Sequence, residues 1–128
     1  MKKFSDSWNA SKKPAKQRAW RTKSPLHIRK RIMKVHLAKD LRKKYKLRSI
    51  LLKKGDKVKI LRGQKKNHVG DVDRLNLKTS KVFLTGMEIT KKDGSKTTPP
   101  VNPTNLIITE LNLDDKMRQK TLERATTK

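Results

Sequence analysis

The chemistry legible in this chain is the binding of phosphate by lysine and arginine. Arg62, Lys65, Lys66, Asn67 and His68 surround Gly63 and run up to Val69, a polar stretch between two apolar ones. Such a stretch is a loop that can probe a nucleic-acid groove. Lys12, Lys13, Lys16, Arg18, Arg21 and Lys23 crowd around Trp20, and Arg29, Lys30, Arg31 and Arg42 follow. Arginine bridges two phosphate oxygens with its planar fork, and lysine acts as a point charge. A tryptophan among such cations can stack on an unpaired base; packing against the chain's own fold is the competing use of Trp8 and Trp20. His27 is the histidine best placed to stack on RNA, while His36 reads as solvated at a helix bend.

Catalytic chemistry is absent from the pattern. Acid–base catalysis needs paired groups in a pocket, whereas Asp56, Asp71, Asp73 and Glu88 sit beside lysines or turns and read as charge balance. His27, His36 and His68 lack metal-ligand spacing, and no phosphate-cradling glycine loop occurs. With no cysteine there is no disulfide, thiolate nucleophile or Cys-based zinc site. The expectation is therefore a protein that is not an enzyme and has no cofactor and no small-molecule substrate.

These residues sit in a chain of 128 with 36 Lys or Arg against 11 Asp or Glu, a formal net charge of +25. Such a surplus repels itself and calls for a polyanion. It is uneven: residues 1–54 carry 20 basic and 2 acidic residues, 55–113 carry 11 and 6, and 114–128 carry 5 and 3. No apolar run reaches about 18 residues, so membrane insertion is not expected. The start, Met1-Lys2-Lys3-Phe4, lacks the apolar stretch of a secretory signal. A cytoplasmic, polyanion-binding protein is the expectation.

Four sections are expected. Residues 1–23 have eight basic residues and almost no aliphatic ones, which reads as an extended basic arm, disordered when free. Residues 24–54 read as short basic helices. Ser24 is the expected N-cap and Pro25 the first helical residue. Ile28, Ile32 and Val35, then Leu37, Leu41 and Tyr45, form two apolar stripes bent near Val35-His36. Such stripes also suit a membrane surface or a calmodulin-type partner, but nothing else in the chain favours lipid. Residues 55–113 change to period two, as in Val58 and Ile60 or Val82 and Leu84, with turns at Gly63, Gly70, Gly86 and Asp93-Gly94. Four or five short strands imply a small closed or half-closed barrel. Residues 114–128 read as a short charged helix and a frayed tail. Its first turn carries Asp114-Asp115, and Met117 and Leu122 are able to touch the barrel or a partner.

Gly55-Asp56-Lys57-Val58-Lys59-Ile60-Leu61-Arg62-Gly63, followed by Gly70-Asp71-Val72, resembles a KOW motif. The flanks sharpen the likeness: Ser24-Pro25-Leu26-His27-Ile28-Arg29-Lys30-Arg31, Leu41-Arg42-Lys43-Lys44-Tyr45, Val101 to Ile108, and Leu111 to Lys116. Over residues 12–120 the chain resembles the archaeal and eukaryotic form of the universal twenty-fourth family of large-subunit ribosomal proteins; the short C-terminus favours the archaeal side. The resemblance implies a mainly-β fold, an SH3-like KOW barrel with a basic arm. It implies binding to large-subunit ribosomal RNA near its 5′ domain, help in assembly, and a place near the polypeptide exit tunnel. One copy beside neighbouring ribosomal proteins is implied too. A KOW-type transcription elongation factor is the alternative, although such factors carry a further α/β domain where this chain has its arm. The chain departs from the family at Lys65 and Asn67 in the loop, at Asp71, and at Ala38, which stands where a Ser or Thr usually caps a helix.

Overall fold

In Lys57–Ile60 the valine and isoleucine alternate with lysines, and only the apolar pair is buried, as period two requires of a sheet with one wet face. A computed structural model describes residues 4–127. Its elements run α1 (Pro14–Lys23), α2 (Leu26–Ile32), β1 (Lys34–Leu37), α3 (Lys39–Tyr45), β2 (Ser49–Leu51), β3 (Lys57–Ile60), β4 (Val69–Asn76), β5 (Lys81–Leu84), β6 (Ile89–Thr90), β7 (Lys96–Thr97), β8 (Leu106–Glu110) and α4 (Lys116–Thr126). Short 3-10 turns occupy Asp6–Ala10 and Pro103–Asn105.

Six strands form one mixed sheet in the order β2-β1-β8-β3-β4-β5, and β6 and β7 make a separate hairpin. Every pairing in the large sheet is antiparallel except β1 with β8. The fold is mainly β, as expected, but the described strands make no closed barrel. The outer edge of β5 gains only one isolated bridge, Val82 to Val101. Pro99, Pro100 and Pro103 flank that bridge, and a proline has no N–H to extend a ladder.

The sheet also crosses the compositional break at Gly55. Met33, Val35, Leu37, Ile50 and Leu52 share one buried cluster with Val58, Ile60, Val72, Val82, Leu84, Leu106, Ile108 and Leu122. The expected pair of helices over 24–46 is thus corrected to helix, strand, helix. Val35 and Leu37, two residues apart, both face the core as strand residues do. Their partners, Ile50 and the Ile107–Ile108 pair, lie far along the chain. Ser24 closes α1 rather than capping α2: its hydroxyl donates to the Arg21 carbonyl at 3.1 Å. Pro25 takes the N-cap position, so the helix starts one residue later than expected. His36 is half-buried on β1, not solvated at a helix bend. Ala38 offers α3 no side-chain cap.

The stretch 1–23 was expected to be extended; the part described is helical. Pro14 stands at the first turn of α1, and Ala15, Lys16, Gln17, Arg18 and Ala19 favour helix. Neither α1 nor the turn before it buries a residue. At the other end Asp115 caps α4, its carboxylate accepting the Met117 N–H at 2.8 Å. Lys128, the end of the expected frayed tail, lies outside the described residues.

Candidate nucleic-acid interface

The loop between β3 and β4 is held in a tight fold by its own backbone. Lys66 N–H donates to Gly63 O at 3.1 Å, Asn67 N–H to Ile60 O at 2.8 Å, and His68 N–H to Lys65 O at 3.2 Å. Two residues take left-handed backbone, Gly63 at φ +100° and Asn67 at φ +68°. Asparagine tolerates that region better than most side chains, so the departure at Asn67 leaves the turn intact. Arg62, Lys65, Lys66 and Asn67 are all exposed. Arg62 and Lys65 line a groove of about 260 Å³ with Lys81, Pro100 and Asn102 across it. His68 does not join them. It is half-buried, and its ring lies where a Cβ on Gly70 or Gly86 would approach it.

Gly70 itself is required by close approach. A Cβ there would stand 2.7 Å from the Thr85 carbonyl oxygen. The next residue, Asp71, is bound to the same neighbour through its N–H to Thr85 Oγ1 at 3.1 Å.

The N-terminal cations form a second group. Lys12, Lys13, Lys16, Arg18, Arg21 and Lys23 are exposed along α1 or just before it. Trp20 is partly covered by the chain's own N-terminal turn, with its indole N–H 3.3 Å from Asp6 Oδ1. Trp8 meets Phe4 edge-on, and the Lys23 ammonium sits 5.9 Å from its ring centre. Trp20 and Arg31 share a hollow of about 370 Å³ with Asp6, Asn9, Ala10 and Ile32. His27, Lys30 and Arg31 lie on α2, and all three are exposed.

Two of the expected arginines are engaged by the fold. Arg29 Nε donates to Ser24 O at 2.9 Å, and its Nη2 donates to Thr22 O. The guanidinium therefore fastens α2 to the end of α1. Arg42 Nε donates to Leu37 O at 2.6 Å, tying α3 to β1. Both groups look alike to sequence reasoning, because nothing local marks a carbonyl acceptor.

Carboxylates are matched to other cations. Asp73 lies 4.0 Å from Lys54, Glu110 3.0 Å from Lys57 and Glu88 3.2 Å from Lys96, and Asp115 pairs with Lys53. Glu110, by hydrogen bond and then by charge, raises the Lys57 ammonium above the usual lysine value. Buried Asp56 holds Arg118 through two contacts, at 2.6 and 2.8 Å. Among the described residues, none of the cations expected to bind RNA forms an ion pair with a carboxylate. Apart from Arg29 and Arg42, which the fold engages, they remain free for an external anion.

Sequence reasoning missed a further set on the β4–β5 hairpin. The Arg74 guanidinium lies 4.3 Å from the centre of the Phe83 ring. Lys81 Nζ donates to Asn102 Oδ1 at 2.9 Å. The signal was faint: one arginine at a position that strict alternation assigns to the core.

Comparison with known proteins shows the family. The sequence model of a family described as the eukaryotic ribosomal proteins L26 and their archaeal counterparts matches residues 11–125. The chain is similar to the large ribosomal subunit protein uL24 of Methanothrix thermoacetophila, 42% identical over 114 residues, covering 89% of this chain and 98% of the relative. It is equally similar to uL24 of Methanosphaera stadtmanae, 42% identical over 114 residues, covering 89% and 97%. To uL24 of Methanospirillum hungatei it is 41% identical over 112 residues, covering 88% and 93%.

Proposed function

The chain belongs to the family of eukaryotic ribosomal proteins L26 and their archaeal counterparts, and from that premise we propose that it fastens ribosomal RNA within the large subunit. It is a structural component of the cytoplasmic ribosome and not an enzyme. Its partners are large-subunit RNA, in the 5′ domain, and neighbouring ribosomal proteins. It stands as one copy near the rim of the exit tunnel and supports subunit assembly. The N-terminal unit and the β3–β4 loop make the RNA contacts, through Lys12, Lys13, Lys16, Arg18, Arg21, Lys23, Lys30, Arg31, Arg62, Lys65 and Lys66. Trp20, His27 and Asn67 lie among them.

One observation carries this reading: these cations are exposed and form no ion pair with a carboxylate, while four of the acids are paired with a separate set of lysines. Phosphate is the complementary anion. We read β8-β3-β4-β5 as an open SH3-like KOW unit. The bridge at Val101 and the 3-10 turn after it support that reading, since they lead the chain from the β5 edge back to β8 beside β3. The elongation-factor alternative gains no support, because the family match extends from the sheet strands into the N-terminal unit.

Salt titration of binding to a large-subunit RNA fragment tests the proposal. Several phosphate contacts predict a log–log slope of about −5 or steeper. A flat dependence would assign the exposed cations to some other use and overturn it.

A further inference from the structure

The β4–β5 hairpin is bulged between Val72 and Arg74: Val72 pairs with Leu84, yet Arg74 pairs with Phe83. Side chains alternate faces along a strand. Without the extra residue Arg74 would stand opposite Val82 and enter the core with Val72. The bulge turns it outward, as bulges do where a side chain must be re-aimed. Beyond it the register continues with Leu75 opposite Val82 and Asn76 opposite Lys81. The outer face of the hairpin thus carries Arg74 beside Phe83, then Asn76 beside Lys81. A hollow of about 450 Å³ lies over this region, lined by Arg74, Asn76 and Phe83 among others.

We infer that this face is a platform for one unpaired RNA nucleobase, which stacks on the Arg74–Phe83 pair while Asn76 meets its edge. The inference rests on the RNA-binding reading and adds a site outside the loop and the N-terminal unit. The chemistry favours a base over bare phosphate. A planar guanidinium laid on an aromatic ring offers a flat cationic surface, and bases stack on such surfaces whatever their sequence. Arg74 makes no ion pair among the described residues, so its charge is unspent on protein. Asn76 accepts the Thr79 N–H at 3.1 Å with its carbonyl oxygen, which leaves the amide N–H groups turned to other acceptors.

The test uses the full chain and two probes: a single-stranded RNA 12-mer carrying one 2-aminopurine, and the same backbone with abasic ribose throughout. The wild type is expected to bind the base-bearing probe more tightly and to quench its fluorescence. Arg74→Lys keeps the charge and removes the plane; Phe83→Leu keeps the apolar cover and removes the ring. Each is expected to reduce the preference for the base-bearing probe about tenfold, with abasic binding unchanged. The Arg74 side chain is exposed, so that variant decides the matter even if Phe83→Leu folds poorly. An unchanged preference in Arg74→Lys, or equal binding of both probes by the wild type, overturns the platform and leaves the RNA reading standing. If the wild type binds neither probe and no ribosomal RNA, both fall.

Discussion

Replacing Arg118 with methionine should be among the most damaging single changes in the protein. Its side chain is 3% exposed and that of Asp56 is fully buried. The two meet in a bidentate pair at 2.6 and 2.8 Å. Asp56 also accepts the N–H groups of Lys53 at 2.8 Å and Asn112 at 3.0 Å. Arg118 in turn donates to the carbonyls of Asn112 at 2.8 Å and Leu51 at 3.2 Å. The pair therefore bolts α4 to β2 and to the turn before β3. Arg118→Met approximates the volume but leaves a buried carboxylate without its countercharge, a loss of about 3–5 kcal/mol. With an unfolding entropy of about 2.1 cal/mol/K per residue, a loss of about 4 kcal/mol lowers Tm by about 15 °C. Thermal and urea denaturation of the RNA-free protein, followed by circular dichroism, would measure it. Asp56→Asn is damaging too, because it strands the guanidinium. The double variant strands neither charge, so it should be more stable than the sum of the single losses predicts, by about 1–3 kcal/mol. A Tm drop under about 3 °C for Arg118→Met is the behaviour of an exposed ion pair and would refute the reasoning. Strict additivity in the double variant would refute it as well.

Three further outcomes are expected. Gly70→Ala places a methyl 2.7 Å from the Thr85 carbonyl oxygen and should lower stability by about 1–3 kcal/mol; an unchanged denaturation midpoint would show that the strands can move apart freely. The Asp93 carboxyl, held below the ordinary carboxylate range by the Ser95 hydroxyl and then by the Ser95 N–H, should titrate closer to the ordinary value in Ser95→Ala. Its contribution to stability is present above the unfolded-state pKa and lost as pH falls through the lower folded-state pKa. A carboxyl carbon NMR titration that is identical in the two proteins contradicts this. Removing residues 1–21 deletes no buried side chain among those described and keeps the Thr22, Ser24 and Lys78 carbonyls that Arg29 holds. The midpoint should stay within about 3 °C while RNA affinity falls at least about tenfold at low salt; a collapse of the midpoint instead would make the N-terminal unit part of the core.

Much of the fold could be read where the pattern is local. Lys57–Ile60 and Lys81–Leu84 alternate cleanly and are strands. Asp93-Gly94 does join a hairpin, with Gly94 at φ +80°. The acidic pair before α4 supplies its cap. Lys34–Leu37 could not be read, because Val35 also continues the helical spacing of Ile28 and Ile32; only the distant β2 and β8 settle it as strand. Arg118 looks like any solvated charge on an amphipathic helix, and its burial depends on a carboxylate far back in the chain. The loop cations were legible as exposed because glycine and asparagine shape the loop locally. Arg29 was not legible as a fastener, since its acceptors are backbone carbonyls that carry no sequence signal.

The large positive charge thus separates by acceptor rather than by position. Arg29, Arg42 and Arg118 satisfy carbonyls or a buried carboxylate and belong to the fold. Lys53, Lys54, Lys57 and Lys96 are balanced by nearby acids. The other described cations have no carboxylate beside them, and they lie on both sides of the compositional break that the sheet ignores. A basic arm tethered to an independent barrel would let each part meet RNA separately. Here α2 is fastened to α1 through Arg29, and β1 follows α2 directly into the core. The N-terminal cations are therefore carried on the same framework as the β3–β4 loop. Under the proposed RNA-binding reading, binding at one region limits where the other can reach, and two RNA segments are held at a set spacing.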